Sequence, residues 1–250
     1  MTVLSAVMYR EGKIRATNLT FIFWDVFYPL GYLLVFGVGM SHAVGTTLPG
    51  GSDYHTFFLG GVLGMASFGI ASNTAWSFFM DRDNGIFYEM LTYPLSRSEY
   101  LVGKVVFNVL IAVAQAAITV LLAGALLGVP VRLDLLPVLI PAVVIGTAAW
   151  FFFYAIFALQ IRRNDAFNTV TSICYFVFLF ASSMFYPLEP LPAGFRQVAY
   201  ANPITWHVDL LRYATVGTGD PGTLALEAIA FTGFTVAAFA GALWSLYHQE

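Results

Sequence analysis

The chain has 250 residues, of which 59% are hydrophobic and only 10% charged, where ordinary soluble domains carry about 25% charged residues. Its mean hydropathy is +0.77, so the class is integral membrane and all-helical rather than soluble. The net charge of −3 points to no class of partner, no nucleic-acid partner is expected, and the lone Cys174 excludes a disulfide framework.

A span needs about 20 apolar residues to cross roughly 30 Å of hydrocarbon. The length therefore holds six spans with short connections and no separate soluble domain. Residues 1–18 mix Arg10, Glu11, Lys13 and Arg15 with Val3, Leu4, Val7, Met8 and Ile14. They carry no signal-peptide pattern and read as an amphipathic helix lying in the membrane interface. The first span is expected over 19–40. Asn18, Asp25, Tyr28 and Tyr32 lie within about 80° of one of its faces. Two readings of Asp25 are open: it faces protein or a water-filled cavity, or it pairs with a nearby arginine at the interface.

The connection 41–55 has Gly45, Pro49, Gly50 and Gly51 and no Lys or Arg, which marks a turn-rich loop. The second span, 56–80, carries Gly60 and Gly64 at the spacing that lets helix backbones approach. Ser67, Thr74 and Ser77 share a face, with Asn73 beside them, and are candidate path-lining residues together with Asp25, Tyr28, Tyr32, Ser172 and Tyr175.

Residues 81–99 open the one long polar interruption in the first half of the chain. Ile86, Phe87, Met90 and Leu91 form one apolar face of a short surface helix, with Tyr88 and Glu89 off it. Pro94 ends that helix, since the residue before proline is pushed out of the α region. Ser96 and Glu99 form a capping box, and Leu95 and Tyr100 occupy hydrophobic-staple positions. Four apolar side chains in an aqueous loop must cover membrane or a partner, and the flanking Asp81, Asp83 and Glu89 disfavour an anionic membrane surface.

Further spans are expected over 100–127, 135–161, 166–186 and 223–247. Between the last two, residues 187–222 break into two short helices around Asn202-Pro203, the pattern of a re-entrant hairpin. Asp220 and Pro221 read as N-cap and first residue of the last span, and Glu227 as an acid in its first turn. With the N-terminus inside, Arg10, Lys13, Arg15, Arg82, Arg97, Lys104, Arg162 and Arg163 are cytoplasmic, against Arg132, Arg196 and Arg212 outside. The positive-inside rule thus places both termini and the 81–104 loop in the cytoplasm.

No phosphate-binding loop is present, so ATP hydrolysis would need another chain. No Cys, His and carboxylate cluster has metal-ligand spacing, and no metal site is expected. A lone secondary transporter would usually show an internal repeat, which is missing. An intramembrane serine hydrolase at Ser67 would need a base, and His42, His55, His207 and His248 all fall outside the span interiors.

Arg82, Gly85, Glu89, Leu91, Pro94, Leu95, Ser96, Glu99, Gly103 and Lys104 resemble the loop between the second and third helices of ABC type-2 exporter permeases. Pro192, Asn202, Pro203, Thr205, Asp209, Leu211 and Arg212 are similar to the external re-entrant segment of the same family. Pro29 with Phe36 and Gly37, and the N-terminal helix, extend the resemblance over nearly the whole chain; Ile86 departs from it, standing where the family often has a small polar residue. The resemblance implies six transmembrane helices with an N-terminal interfacial helix and an external re-entrant hairpin. It implies an exporter permease without cofactor of its own, its ATP and Mg held by two copies of an ABC ATPase subunit. It also implies a second permease copy and a bacterial or archaeal plasma membrane. Arg82, Gly85, Ile86, Phe87, Glu89, Met90, Leu91 and Pro94 would carry the ATPase coupling, and the substrate would be an amphipathic drug, a lipid or a lipid-linked glycan.

Overall fold

The computed structural model describes residues 3–43 and 53–248; the turn-rich connection at Gly45, Pro49, Gly50 and Gly51 lies outside them. Among the described residues the regular elements are all helices. They are α1 (Val3–Thr17), α2 (Leu19–Ile22), α3 (Tyr28–Ala43), α4 (Tyr54–Asp83), α5 (Ile86–Met90), α6 (Arg97–Leu127), α7 (Leu136–Gln160), α8 (Asn164–Phe180), α9 (Ala193–Tyr200), α10 (Pro203–Val216) and α11 (Pro221–Tyr247). A π-helical turn, Phe23–Phe27, joins α2 to α3. Pro29 gives the cause. It has no N–H for the Asp25 carbonyl, and its ring would strike that oxygen in a regular helix, so the wider turn absorbs the mismatch.

Among the described residues five stretches are long and apolar enough to cross a membrane: Leu19–Met40, Tyr54–Asp83, Arg97–Leu127, Leu133–Gln160 and Pro221–Tyr247. α4 is the central one. It packs against α3, α6, α7 and α10, and is buried without a break from Phe58 to Phe68. Outward-facing side chains on the other long helices, such as Leu121, Ile145, Ile229 and Val236, are large and apolar, as a hydrocarbon surround requires.

The expected span 166–186 is shorter in the structure. α8 stops at Phe180 after 17 residues, about 26 Å at 1.5 Å per residue. Its last carbonyls are taken by side chains instead of a further turn: Asn202 Nδ2 donates to Phe178 O at 2.9 Å and to Ala181 O at 2.7 Å, Ser182 Oγ to Leu179 O at 2.6 Å, and the Tyr186 hydroxyl to Phe180 O.

The 187–222 stretch holds α9 and α10, and Asn202 caps α10 by accepting from Ile204 N at 3.0 Å. Both ends of the stretch, Leu188 and Gly219, border one cavity, so it leaves and returns at the same end of the bundle. In between, α10 runs down among α4, α7 and α11. Glycines make room for it. A Cβ on Gly60 would lie 2.9 Å from Arg212 Cα, one on Gly64 2.5 Å from Val208 Cγ2, and one on Gly146 2.0 Å from His207 Nε2. The Gly60 and Gly64 pair is thus the seat of α10.

α1 departs from an ordinary interfacial helix. Its polar side turns inward against α6, with Glu11 and Arg15 buried beside Val7, while Tyr9 and Lys13 face out.

Candidate functional site

The end of the bundle that carries α5 concentrates the charged chemistry. α4 closes at Asp83, and Gly85 takes φ +76°, the left-handed conformation that lets the chain turn into α5. Ser96 then starts α6 with the expected capping box: Ser96 Oγ accepts from Glu99 N at 3.2 Å and Ser96 N donates to Glu99 Oε2 at 2.8 Å.

The expected partner-covering face of α5 is turned into the chain itself. Phe87 is fully buried, its ring centroid 5.5 Å from Phe78 and 5.3 Å from Tyr100. Met90 and Leu91 pack on the same cluster, and Ile86 is half-buried. What α5 presents outward is Tyr88, Glu89 and, past its end, Tyr93 and Pro94. The correction has a simple cause: the ends of α4 and α6 lie close enough to supply the apolar cover that the sequence assigned to a partner. Arg82 donates to the carbonyls of Leu159 and Ile161, tying α4 to the end of α7. A cavity of about 720 Å³ opens beside it, walled by Arg82, Tyr88, Gln160, Arg162, Trp244 and His248.

Beneath α5 lies a buried ionic network. Lys104, with no exposed surface, places Nζ 2.8 Å from Glu11 Oε1, 2.7 Å from Asp81 Oδ2 and 3.0 Å from Ser77 Oγ. Arg10 donates to both Asp81 oxygens, with Nη1 at 3.1 Å from Oδ2, and the Tyr100 hydroxyl donates to Asp81 as well. Burial alone would lower the Arg10 pKa, but the hydrogen bond and charge of Asp81 outweigh it and hold the guanidinium above its ordinary value. Two bases and two acids from α1, α4 and α6 therefore balance. A second pair sits one turn deeper: Asp25 is buried against Arg15, accepts from Asn73 Nδ2 at 3.0 Å, and Arg15 reaches Asn108 and, at 3.3 Å, Thr74.

These contacts sort the candidate path residues. Asp25 takes the arginine-paired reading, and Asn73, Thr74 and Ser77 serve the two ionic groups. Ser67 is buried in α4. Tyr28 and Tyr32 meet along α3 in a tilted contact with centroids 4.8 Å apart, and Tyr175 of α8 packs 5.2 Å from Phe68. Ser172 is exposed on α8. Asn18 does not share their face; it is exposed and caps α2 through Thr20 N at 3.1 Å.

At the other end of the bundle Arg212 pairs with Asp209, donates to Ser183 O at 2.8 Å and Phe57 O at 3.1 Å, and lies 4.0 Å over the Phe57 ring. Glu227 is not in the first turn of α11 but in its second, buried opposite Asp209. His207, expected outside the span interiors, is instead fully buried among α7 and α11: Trp150 Nε1 donates to its Nδ1 at 3.3 Å, which leaves Nε2–H to donate to Ala142 O at 3.2 Å, and its ring stacks on Phe231. With both nitrogens engaged, it offers no free base to Ser67. Only local cues mark Glu11, Asp81 and Glu227 in the sequence, and apart from the Arg10 neighbour of Glu11 their partners lie on other helices.

The chain matches the family described as "ABC-2 type transporter" over residues 2–216. It is also 21% identical over 220 residues to a protein of Pyropia yezoensis named "Putative transport permease ycf38", a match that covers 84% of this chain and 76% of that protein.

Proposed function

The chain belongs to the ABC-2 type transporter family and is a membrane transport subunit, and from that premise we propose that it is the permease of an ATP-driven exporter. It has six membrane crossings, α8 with the turn that follows it being the fifth, and the 187–222 hairpin re-enters from outside. Two copies of this chain enclose the path, and two ATPase subunits supply ATP and Mg. Both termini face the cytoplasm of a bacterial or archaeal cell. The cargo is amphipathic or lipid-like, and it passes the aromatic face of Tyr28, Tyr32 and Tyr175 with Ser172 at its edge.

The observation that carries the reading is the mounting of α5. A five-residue helix is anchored by Phe87 and backed by a buried ionic network that reaches α1, α4 and α6. Such a helix moves as one body with those elements, so a push on Tyr88 and Glu89 is delivered to the spans. Arg82 and Gly85 set its angle, and Pro94 closes it.

The test is co-purification with the ATPase. Tyr88→Ala combined with Glu89→Ala should abolish it and leave the permease folded, because both side chains are exposed. Phe87→Ala should instead cost about 3–5 kcal/mol of stability. An exposed-face double mutant that retains its ATPase and still exports would sink the assignment.

A further inference from the structure

A cavity of about 510 Å³ opens at the end of the bundle away from α5, between the starts of α4 and α11, α10 and the stretch after α8. Its charged lining is Glu189, Asp209, Arg212, Asp220 and Glu227, four acids and one base. The base is committed: Arg212 pairs with Asp209, donates to two carbonyls and covers Phe57. Asp220 is committed too, as the N-cap of α11, accepting from Thr223 N at 2.8 Å. Glu227 is not. It is 6% exposed, its carboxyl group faces that of Asp209, and its Oε2 has no hydrogen-bond partner.

The rest of the molecule treats buried acids differently. Asp25 has Arg15, and Glu11 and Asp81 share Lys104 and Arg10. Two facing carboxyl groups against one committed guanidinium leave no counter-charge for a second carboxylate, so the pair keeps a proton until a cation takes its place, in a wall that has room for a guest. We propose that this cavity binds the primary ammonium group of a small amine or of a lipid headgroup, held between Glu227 and Asp209.

The chemistry selects the class. A primary ammonium has three N–H donors and no acceptor, and the cavity offers the carboxyl oxygens of Glu227 and Asp209 with the hydroxyl oxygens of Thr56 and of Ser183, which itself donates to Asp209 Oδ1 at 2.8 Å. A quaternary ammonium lacks N–H and seeks a cage of aromatic faces, whereas this lining holds two aromatic residues, Phe57, which Arg212 covers, and Tyr200. Among the described residues no three His, Cys, Asp or Glu side chains are grouped to hold a metal ion. Pro187, Leu188 and Leu224 supply an apolar wall for the carbon chain of the amine. The site uses none of the residues proposed for the transport path, so it stands or falls separately from that reading.

Thermal unfolding of the full-length permease in phosphatidylcholine nanodiscs tests it, with n-butylammonium chloride as probe and tetramethylammonium chloride and n-butanol as controls. Butylammonium should raise Tm with concentration and neither control should match it. Glu227→Gln should weaken the response by roughly tenfold or more, while Asp134→Asn, at an exposed turn, should leave it unchanged. Nanodiscs containing phosphatidylethanolamine separate the two sources. A higher Tm and a blunted butylammonium response, in wild type only, identify the headgroup; an unchanged response identifies a soluble amine. Equal responses to butylammonium and tetramethylammonium in wild type would overturn the proposal whatever the variants do. So would an undiminished butylammonium response in Glu227→Gln.

Discussion

Lys104 holds two carboxylates that have little access to water, Glu11 and Asp81, and its loss leaves both to the single charge of Arg10. Lys104→Ala should destabilise the permease by about 3–5 kcal/mol, the usual cost of removing one partner of a buried pair. Lys104→Met combined with Asp81→Leu should cost clearly less than the two single changes added together, because the double change removes the stranded charge as well. Unfolding of the four proteins in detergent measures this, and additive costs would show that the contact is not the one described. The sequence contained Lys104 in a recognisable pattern and counted Arg10 and Arg15 as cytoplasmic charges. It could not show that these side chains are enclosed, since Glu11 lies 93 positions from Lys104. Asp25 was legible as an anomaly in an apolar run, and one of its two open readings named an arginine.

At the scale of elements, what was legible is what is local. The capping box at Ser96, the N-caps Asn202 and Asp220, and the break at Asn202-Pro203 are set by residues within three positions of one another. The end of α8 was not legible, because the side chain that caps its carbonyls comes from Asn202, 24 and 21 positions on. The orientation of α5 was misread for a related reason: periodicity gives a helix its apolar face but not the surface that covers it. The glycine seam of α4 gives a sharp test. Gly64→Ala should cost about 1–3 kcal/mol by overpacking against the Val208 methyl, and Val208→Ala should recover much of that loss. Gly60→Ala should find no such rescue, since its added methyl meets the Arg212 backbone. Thermal unfolding of the single and paired variants would show whether α10 is seated as described.

For the whole molecule, composition and hydropathy made the class plain, and the apolar outer surfaces of the long helices agree with it. Sidedness is a matter for labelling. The chain has one natural cysteine, Cys174, so a Cys174→Ala background is simple to build. Cysteines at Glu189 and Gly219 should react with an impermeant maleimide in intact cells. One at Leu211, fully buried under α4, should react poorly, as should one at Val198 if α9 lies in the bilayer surface. Reaction at Glu189 only after permeabilisation would reverse the topology.

The buried network also sets a timetable. Glu11 leaves the ribosome 93 residues before Lys104 does, on the order of 5–20 s at cellular rates of synthesis. During that interval Arg10 can already meet Asp81 and Arg15 can meet Asp25, but Glu11 lacks the ammonium group of Lys104 and α1 lacks α6, the helix it packs against. The N-terminal helix is therefore expected to stay only partly docked through the making of two spans and to close fully onto the bundle when α6 arrives. Nascent chains arrested before residue 100 should be clipped by protease within residues 5–17, and chains arrested after α7 should be protected there. Equal protection at both lengths would mean that α1 docks without the network.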